Sequence, residues 1–291
     1  MFGKIIWTTD FSENAEASLA YAEEIASRFD ADLILVHVLL DIPFFYSSFL
    51  GDSSAYLEAL EKAREEASGE LESIARNLRN KGIAARIMLL EGSPYSEIIS
   101  FAENQGADLI VMSTRGPKGL ERIIIGSTAE KVVRNAPCPV LTVHEKPALP
   151  LKIANILLLT DLSEPSKKAF PPALELAGAF GAKITLLHIM ETSVPLGKED
   201  EKALSDALLR VMDGLLADTV GEEFRRSIEK VIVKGADAAS GIARFCEENP
   251  VDLIVMATHG RSGLRKTLLG SVAEKVLRSL EVPVLTVKVR L

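Results

Sequence analysis

The chain has 291 residues, of which 47% are hydrophobic and 25% charged, with a net charge of −8 and two cysteines. This is the composition of a globular protein, and the acidic balance excludes the basic footprint of a nucleic-acid binder. No apolar run reaches the roughly 18–20 residues of a membrane span. Cys138 and Cys246 are too few and too scattered for a disulfide framework or a metal site.

The segment from Met1 to Asp10 lacks the apolar region and cleavage site of a signal peptide, so a cytoplasmic protein is expected. It reads instead as a first strand, Lys4–Thr9. Helical spacing follows over Glu13–Phe29, then a strand over Asp32–Val38. Phe44, Phe45, Tyr46, Phe49 and Leu50 form an aromatic cluster, which fits packing against the next helix or a neighbouring subunit better than a lid or partner surface. A long charged helix spans about Ala55–Lys81. Strand Ile83–Leu90, helix Tyr95–Gln105 and strand Asp108–Ser113 come next. A Gly-rich loop, a helix from Ser127 and a last strand close the unit.

After the link Lys146-Pro-Ala-Leu-Pro150 the whole order recurs. Asp108-Leu-Ile-Val-Met112 returns as Asp252-Leu-Ile-Val-Met256, Ala129-Glu-Lys-Val132 as Ala273-Glu-Lys-Val276, and Pro139-Val-Leu-Thr-Val143 as Pro283-Val-Leu-Thr-Val287, all offset by 144 residues. Near the start the offset is 151, from Thr9-Asp10 to Thr160-Asp161, so the second copy is shorter after His188 than the first is after His37. Its expected elements are strand Ile153–Thr160, helix Glu164–Phe180, strand Lys183–Ile189, helix Glu199–Val220, strand Ile228–Lys234, helix Ala238–Glu248, strand Asp252–Ala257 and a helix from Ser271. Two domains are expected, over 1–146 and 151–291, and the first carries the whole acidic surplus.

Strands apolar on both faces, alternating with helices, predict a parallel sheet covered on both sides. Right-handed crossovers make each copy a doubly wound, open, Rossmann-like α/β domain. Ligands of such folds sit beyond the carboxyl ends of the strands, where strand order reverses. Two segments fall there.

The first is Asp10-Phe-Ser-Glu13, repeated as Asp161-Leu-Ser-Glu164. Asp-x-x-Glu before an apolar helix fits a capping box, and the same carboxylate is placed to meet a ligand; both readings stand. The second is the loop from Ser113 through Arg115, Gly116 and Gly119 to Gly126-Ser127, matched by Ala257 through His259, Gly260 and Gly263 to Gly270-Ser271. Glycines let the backbone approach a ligand closely, and the helix that begins at Ser127 or Ser271 presents free N–H groups to an anion. Ser127 and Ser271 are candidates both to cap that helix and to bind phosphate. Arg115, Lys118 and Arg122, or Arg261, Arg265 and Lys266, add positive charge. Ordinary surface turns are the weaker alternative. His37 and His188 close the second strand of each copy and fit a structural hydrogen bond better than catalysis. His259 stands opposite Arg115, which suits a cationic position facing phosphate.

The order small-x-x-Gly, nine residues, Gly-Ser resembles the universal stress protein family. So do the Asp after the first strand, the His-Val or His-Ile of the second, and the Pro-Val-Leu-Thr-Val last strand. The likeness covers the chain as a tandem fusion. It implies an adenine nucleotide alpha hydrolase-like fold and ATP or AMP as ligand, with Mg entering only through the phosphates. It implies that Asp10 or Asp161 and Val38 or Ile189 hold the adenine and sugar. Gly116, Gly126, Gly260 and Gly270 then surround ribose and phosphates, and Ser127 or Ser271 binds phosphate. Thr8, Thr9, Met112, Arg115 and Thr128, with Thr160, Met256, His259 and Val272, complete the expected lining. The family's first motif glycine is Ser113 in one copy and Ala257 in the other. The likeness also implies that the two copies pair through their last strands, with a homodimer and a signalling partner as further expectations.

No Gly-x-x-x-x-Gly-Lys-Ser/Thr, Gly-x-Gly-x-x-Gly or His-x-Gly-His occurs, and no nucleophile is paired with a base. The expected function is a nucleotide-binding stress-response or signalling module, at most a slow ATPase. An ATP-using hydrolase and a ligand-free dimerisation scaffold are the rivals.

Overall fold

A computed structural model describes residues 2–40, 53–114, 125–192, 197–259 and 269–289. The first half runs β1 (Lys4–Thr9), α1 (Glu13–Phe29), β2 (Asp32–Leu40), α2 (Ser53–Asn80), β3 (Ala85–Gly92), α3 (Pro94–Gln105), β4 (Leu109–Ser113), α4 (Ser127–Asn135) and β5 (Val140–Val143). The second runs β6 (Asn155–Leu159), a 3-10 turn (Glu164–Ala169), α5 (Phe170–Phe180), β7 (Lys183–Glu191), α6 (Lys198–Ala217), α7 (Glu222–Ser227), β8 (Glu229–Gly235), α8 (Ala238–Glu248), β9 (Leu253–Ala257), α9 (Ser271–Ser279) and β10 (Val284–Val287).

Ten strands make one sheet, in the order β3-β2-β1-β4-β5-β10-β9-β6-β7-β8. Within each half every pairing is parallel, as expected of continuous apolar strands joined by helices. The halves meet through their last strands, where Leu141 pairs with Leu285 in antiparallel register. Thr142 Oγ1 donates to the Val284 carbonyl at 3.1 Å, and Thr286 Oγ1 returns the bond to the Val140 carbonyl at 3.1 Å. Each short last strand thereby covers the other's edge. Arg28 reinforces the junction, lying 4.3 Å over the Phe180 ring and donating to the Ala179 carbonyl.

Side chains alternate between the two faces of the sheet. Ile5, Trp7, Leu33 and Leu35 enter one apolar layer with Tyr21 and Ile25 of α1 and Leu71 of α2. Ile6, Ile34 and Val36 enter the other, with Phe101 of α3 and Val132 of α4. Both layers continue through the second half. Asp108 and Asp252, which open the repeated Asp-Leu-Ile-Val-Met runs, accept the N–H groups of Gly3 and Lys4 and of Ala154 and Asn155. They tie the start of the fourth strand of each half to the start of the first.

Two expected helices differ from the structure. Glu164–Phe180 is broken at Phe170, where a 3-10 turn hands over to α5. Pro171 and Pro172 lack the N–H groups that one continuous α-helix would use there, whereas Pro165 falls in the first turn, where proline is tolerated. The helix expected over Glu199–Val220 ends at Ala217, and α7 forms separately. The aromatic cluster at Phe44–Leu50 lies outside the described residues.

Candidate functional site

The turns after β1 and β6 are built alike. Thr9 Oγ1 accepts the Phe11 N–H at 2.9 Å, and Thr160 Oγ1 accepts the Leu162 N–H at 3.0 Å. Phe11 and Leu162 have φ of 60° and 65°, a left-handed conformation that bulky residues rarely adopt. Such strain persists where the surroundings over-determine it, and it gathers at functional turns. Asp10 Oδ1 accepts the backbone and hydroxyl of Ser12, and Asp161 Oδ1 accepts those of Ser163.

The capping reading of the two aspartates is therefore corrected. Ser12 is the N-cap of α1, and its hydroxyl oxygen accepts the Ala15 N–H. Ser163 occupies the same place before the 3-10 turn. The aspartates orient these serines rather than capping the helices.

The histidine pair makes the same hydrogen bond in both halves, and His188 also lines the cavity described below. The Nδ1 of His37 lies 2.8 Å from the Thr9 carbonyl and that of His188 lies 2.9 Å from the Thr160 carbonyl. A carbonyl only accepts, so Nδ1 carries the proton in both rings. Each bond ties the second strand to the end of the first.

The glycine-led helix starts also match. Gly126 is the N-cap of α4 and Gly270 that of α9, which corrects the expectation that Ser127 and Ser271 cap them; the serines are the first helical residues. Neither cap provides a side-chain hydrogen bond. Gly126 N–H donates to the Thr114 carbonyl at 2.6 Å, and Gly270 N–H donates to the Thr258 carbonyl at 2.9 Å. A Cβ at Gly270 would stand 2.7 Å from the Thr258 oxygen, and one at Gly126 3.1 Å from that of Thr114. Close backbone approach thus requires glycine, most strictly at Gly270.

In the second half these parts enclose a cavity of about 490 Å³ beyond the carboxyl ends of the strands. Thr160 and Asp161 line it from the turn after β6, and Ile189 from β7. Met256, Ala257 and His259 come from the end of β9, and Gly270, Ser271 and Val272 from the start of α9. All nine are residues singled out from the sequence. The tenth, Gly260, lies outside the described residues.

In the first half Thr8, Thr9 and Met112 are buried, Val38, Ser113, Gly126 and Thr128 half-buried, and Asp10 and Ser127 exposed. They occupy the same strand ends and helix start, whereas Arg115 and Gly116 fall outside the described residues.

Residues not anticipated also line the cavity, among them Leu204 and Leu208 of α6, four apart in sequence, Ala238 and Ile242 of α8, and Met190 and Glu191 of β7. Their helical spacing is ordinary apolar patterning, with no motif to mark it. Thr258 was also missed, although its carbonyl anchors Gly270.

The electrostatic setting is mixed. Lys234 pairs with Glu201 and links β8 to the first turns of α6. In the first half the equivalent strand position is Glu91, which pairs with Arg64 at 2.6 Å, so the same tie is made with opposite polarity. Asp237, the N-cap of α8, is held below the usual carboxylate range, first by the Ser240 hydroxyl and then by the Ser240 N–H. Burial, aided by the charge of Glu247, pushes the Cys246 thiol up to about 11 and leaves it an inert neutral group. Among the described residues no cluster of three or more His, Cys, Asp or Glu is arranged to hold a metal ion, and no helix is long and apolar enough to cross a membrane.

Residues 1–144 and 152–288 each match the model of the universal stress protein family. The chain belongs to that family. A universal stress protein of Methanocaldococcus jannaschii is 39% identical over 145 residues, covering 50% of this chain and 84% of that protein. A universal stress protein of Mycolicibacterium smegmatis is 26% identical over 296 residues, covering 98% of this chain and 97% of its own, so this tandem arrangement recurs at full length. The crystal structure of a universal stress protein from Archaeoglobus fulgidus DSM 4304 has the same fold, with a TM-score of 0.75, 24% identity and 99% coverage of each chain. Two universal stress protein domains therefore share one sheet here, joined through β5 and β10.

Proposed function

We propose that this tandem universal stress protein is an adenine-nucleotide-binding module that takes ATP or AMP in the crevice of each half. One observation carries the reading. Ser271, Val272 and Ala273, the first residues of α9, line the second-half cavity behind an N-cap without a side chain. The first N–H groups of a helix have no intrahelical acceptor, and here no capping side chain supplies one. An anion such as a phosphate fits that position, favoured by the positive end of the helix.

The rest of the crevice suits the remainder of a nucleotide. Its volume lies within the roughly 300–1,000 Å³ typical of small-molecule sites. Asp161 is the candidate to meet the sugar, and Ile189, Leu208 and Ile242 offer a flat ring an apolar seat. Magnesium would enter only with the phosphates. Thr258 Oγ1 lies 3.0 Å from His259 Nδ1 in this lining, so the turnover measurement below decides between a binding or signalling role and an ATP-using enzyme.

The test is to denature the purified protein, identify nucleotide in the supernatant by mass spectrometry, and titrate the emptied protein by calorimetry. Adenine nucleotide is expected in the extract or in the titration. An empty extract with no binding would favour the ligand-free scaffold. Sustained ATP turnover of about one per second or faster would make the protein an enzyme instead.

A further inference from the structure

Ile189 reaches the second-half cavity from β7, and its side chain lies against two glycines. A Cβ at Gly241, in the first turn of α8, would stand 2.8 Å from Ile189 Cγ2, 3.0 Å from Cδ1 and 3.2 Å from Cγ1. A Cβ at Gly235, which ends β8, would stand 2.9 Å from the same Cγ2. Carbon atoms pack best at about 3.5–4.0 Å, so Ile189 keeps this place only because both positions lack a side chain.

The start of α8 is tied to its neighbours. Glu191 Oε1 accepts the Ala238 N–H at 2.7 Å, Asp237 accepts those of Ala239 and Ser240, and Lys275 of α9 lies 3.5 Å from Asp237. A Cβ at Gly241 therefore displaces Ile189 rather than the helix. The open space beside Ile189 is the cavity that it lines.

The first half solves the same packing with other residues. Counting back 144 residues from Gly241 gives Glu97, and the same offset relates Ile242 to Ile98, each 3% exposed and both in one apolar layer. A residue with a Cβ thus stands on the first turn of α3, and β2 offers the smaller Val38 in place of Ile189. The Glu97 side chain folds over Gly92, with Oε1 3.1 Å from where a Cβ there would stand.

We propose that Gly241 is a positioning residue of the second-half site, whose missing side chain lets Ile189 lie back against α8 and leaves the cavity wide enough for a nucleotide ring. The inference rests on the nucleotide reading above. It makes Ile189 and Gly241 one unit, replaced in the first half by Val38 and Glu97. A β-branched side chain has few χ1 rotamers, so an Ile189 driven off Gly241 turns its methyl groups into the cavity. One surplus carbon in an apolar ligand seat is worth about 10–200-fold in discrimination.

The test titrates the full chain with AMP and follows the second-half site through the Ser271 and Val272 amides by NMR. Gly241→Ala should weaken AMP there roughly tenfold or more. Its thermal midpoint should stay near wild type, because alanine is the better helix former and the group displaced is a side chain. Ile189→Val alone should change the affinity little. Added to Gly241→Ala it should restore most of the loss, since the first half already combines valine with a residue that has a Cβ. AMP affinity unchanged by Gly241→Ala would overturn the role of Gly241, as would a loss that Ile189→Val leaves in full. A wild-type protein that binds no adenine nucleotide would overturn the functional reading and this inference with it.

Discussion

Gly270→Val should destabilise the protein by about 1–3 kcal/mol and empty the second-half crevice. A Cβ at this position would stand 2.7 Å from the Thr258 oxygen, which is backbone and cannot rotate away. The same carbonyl accepts the Gly270 N–H at 2.9 Å, so a displaced α9 start also loses that bond. The first-turn N–H groups would then point away from the cavity. The packing at Gly270 makes the valine variant a structural lesion as well as a loss of ligand. Gly126→Val, where the closest approach is 3.1 Å, should cost less and should spare nucleotide bound in the second half. Urea denaturation measures the first effect and equilibrium dialysis the second. Nucleotide affinity unchanged by Gly270→Val would remove the start of α9 from the site.

Leu141→Asp should have the largest effect on stability. Leu141 faces Leu285 across the antiparallel seam; each is 1% exposed, and both belong to the apolar layer that runs through the two halves. A carboxylate there would stand among hydrocarbon side chains. Leaving a buried charge uncompensated costs on the order of 3–5 kcal/mol. Chemical denaturation should show a midpoint far below wild type, and amide exchange should speed up along Val140–Val143 and Val284–Val287. Leu141→Ala removes volume without adding charge and should cost about 2–5 kcal/mol. A wild-type midpoint for Leu141→Asp would mean that the halves do not depend on this seam.

The parts of the molecule legible in the sequence were those set by short-range rules. β1, α1 and α8 occupy the predicted spans, because strand runs and amphipathic spacing declare themselves locally. The repeat offset and the Asp-Leu-Ile-Val-Met and Pro-Val-Leu-Thr-Val runs revealed two copies, and the β5–β10 junction joins them as expected. Other errors have plain causes. Pro171 and Pro172 lie within helical spacing, which registers apolar periodicity and not missing donors. The Asp10 and Asp161 capping boxes failed because serine two residues later competes for the same role and wins in α1.

For the candidate site, fold topology directs attention to the turns after the first strands and to the glycine loops, and the family resemblance added Ile189, Met256 and Val272, which line the second-half cavity. Leu204, Leu208 and Glu191 were invisible, since what brings them to the cavity is the packing of α6 and α8 across β7. No local pattern encodes that approach. The loop residues Arg115, Gly116 and Gly260 keep their standing as sequence-based proposals.

The most direct measurement follows backbone amides one by one during a nucleotide titration, by NMR of labelled protein. The account predicts that the N–H signals of Ser271, Val272 and Ala273 shift in a saturable way with AMP or ATP and exchange more slowly when the site is full. Saturable binding that leaves these three amides unmoved would contradict it, as would a protein that no adenine nucleotide perturbs.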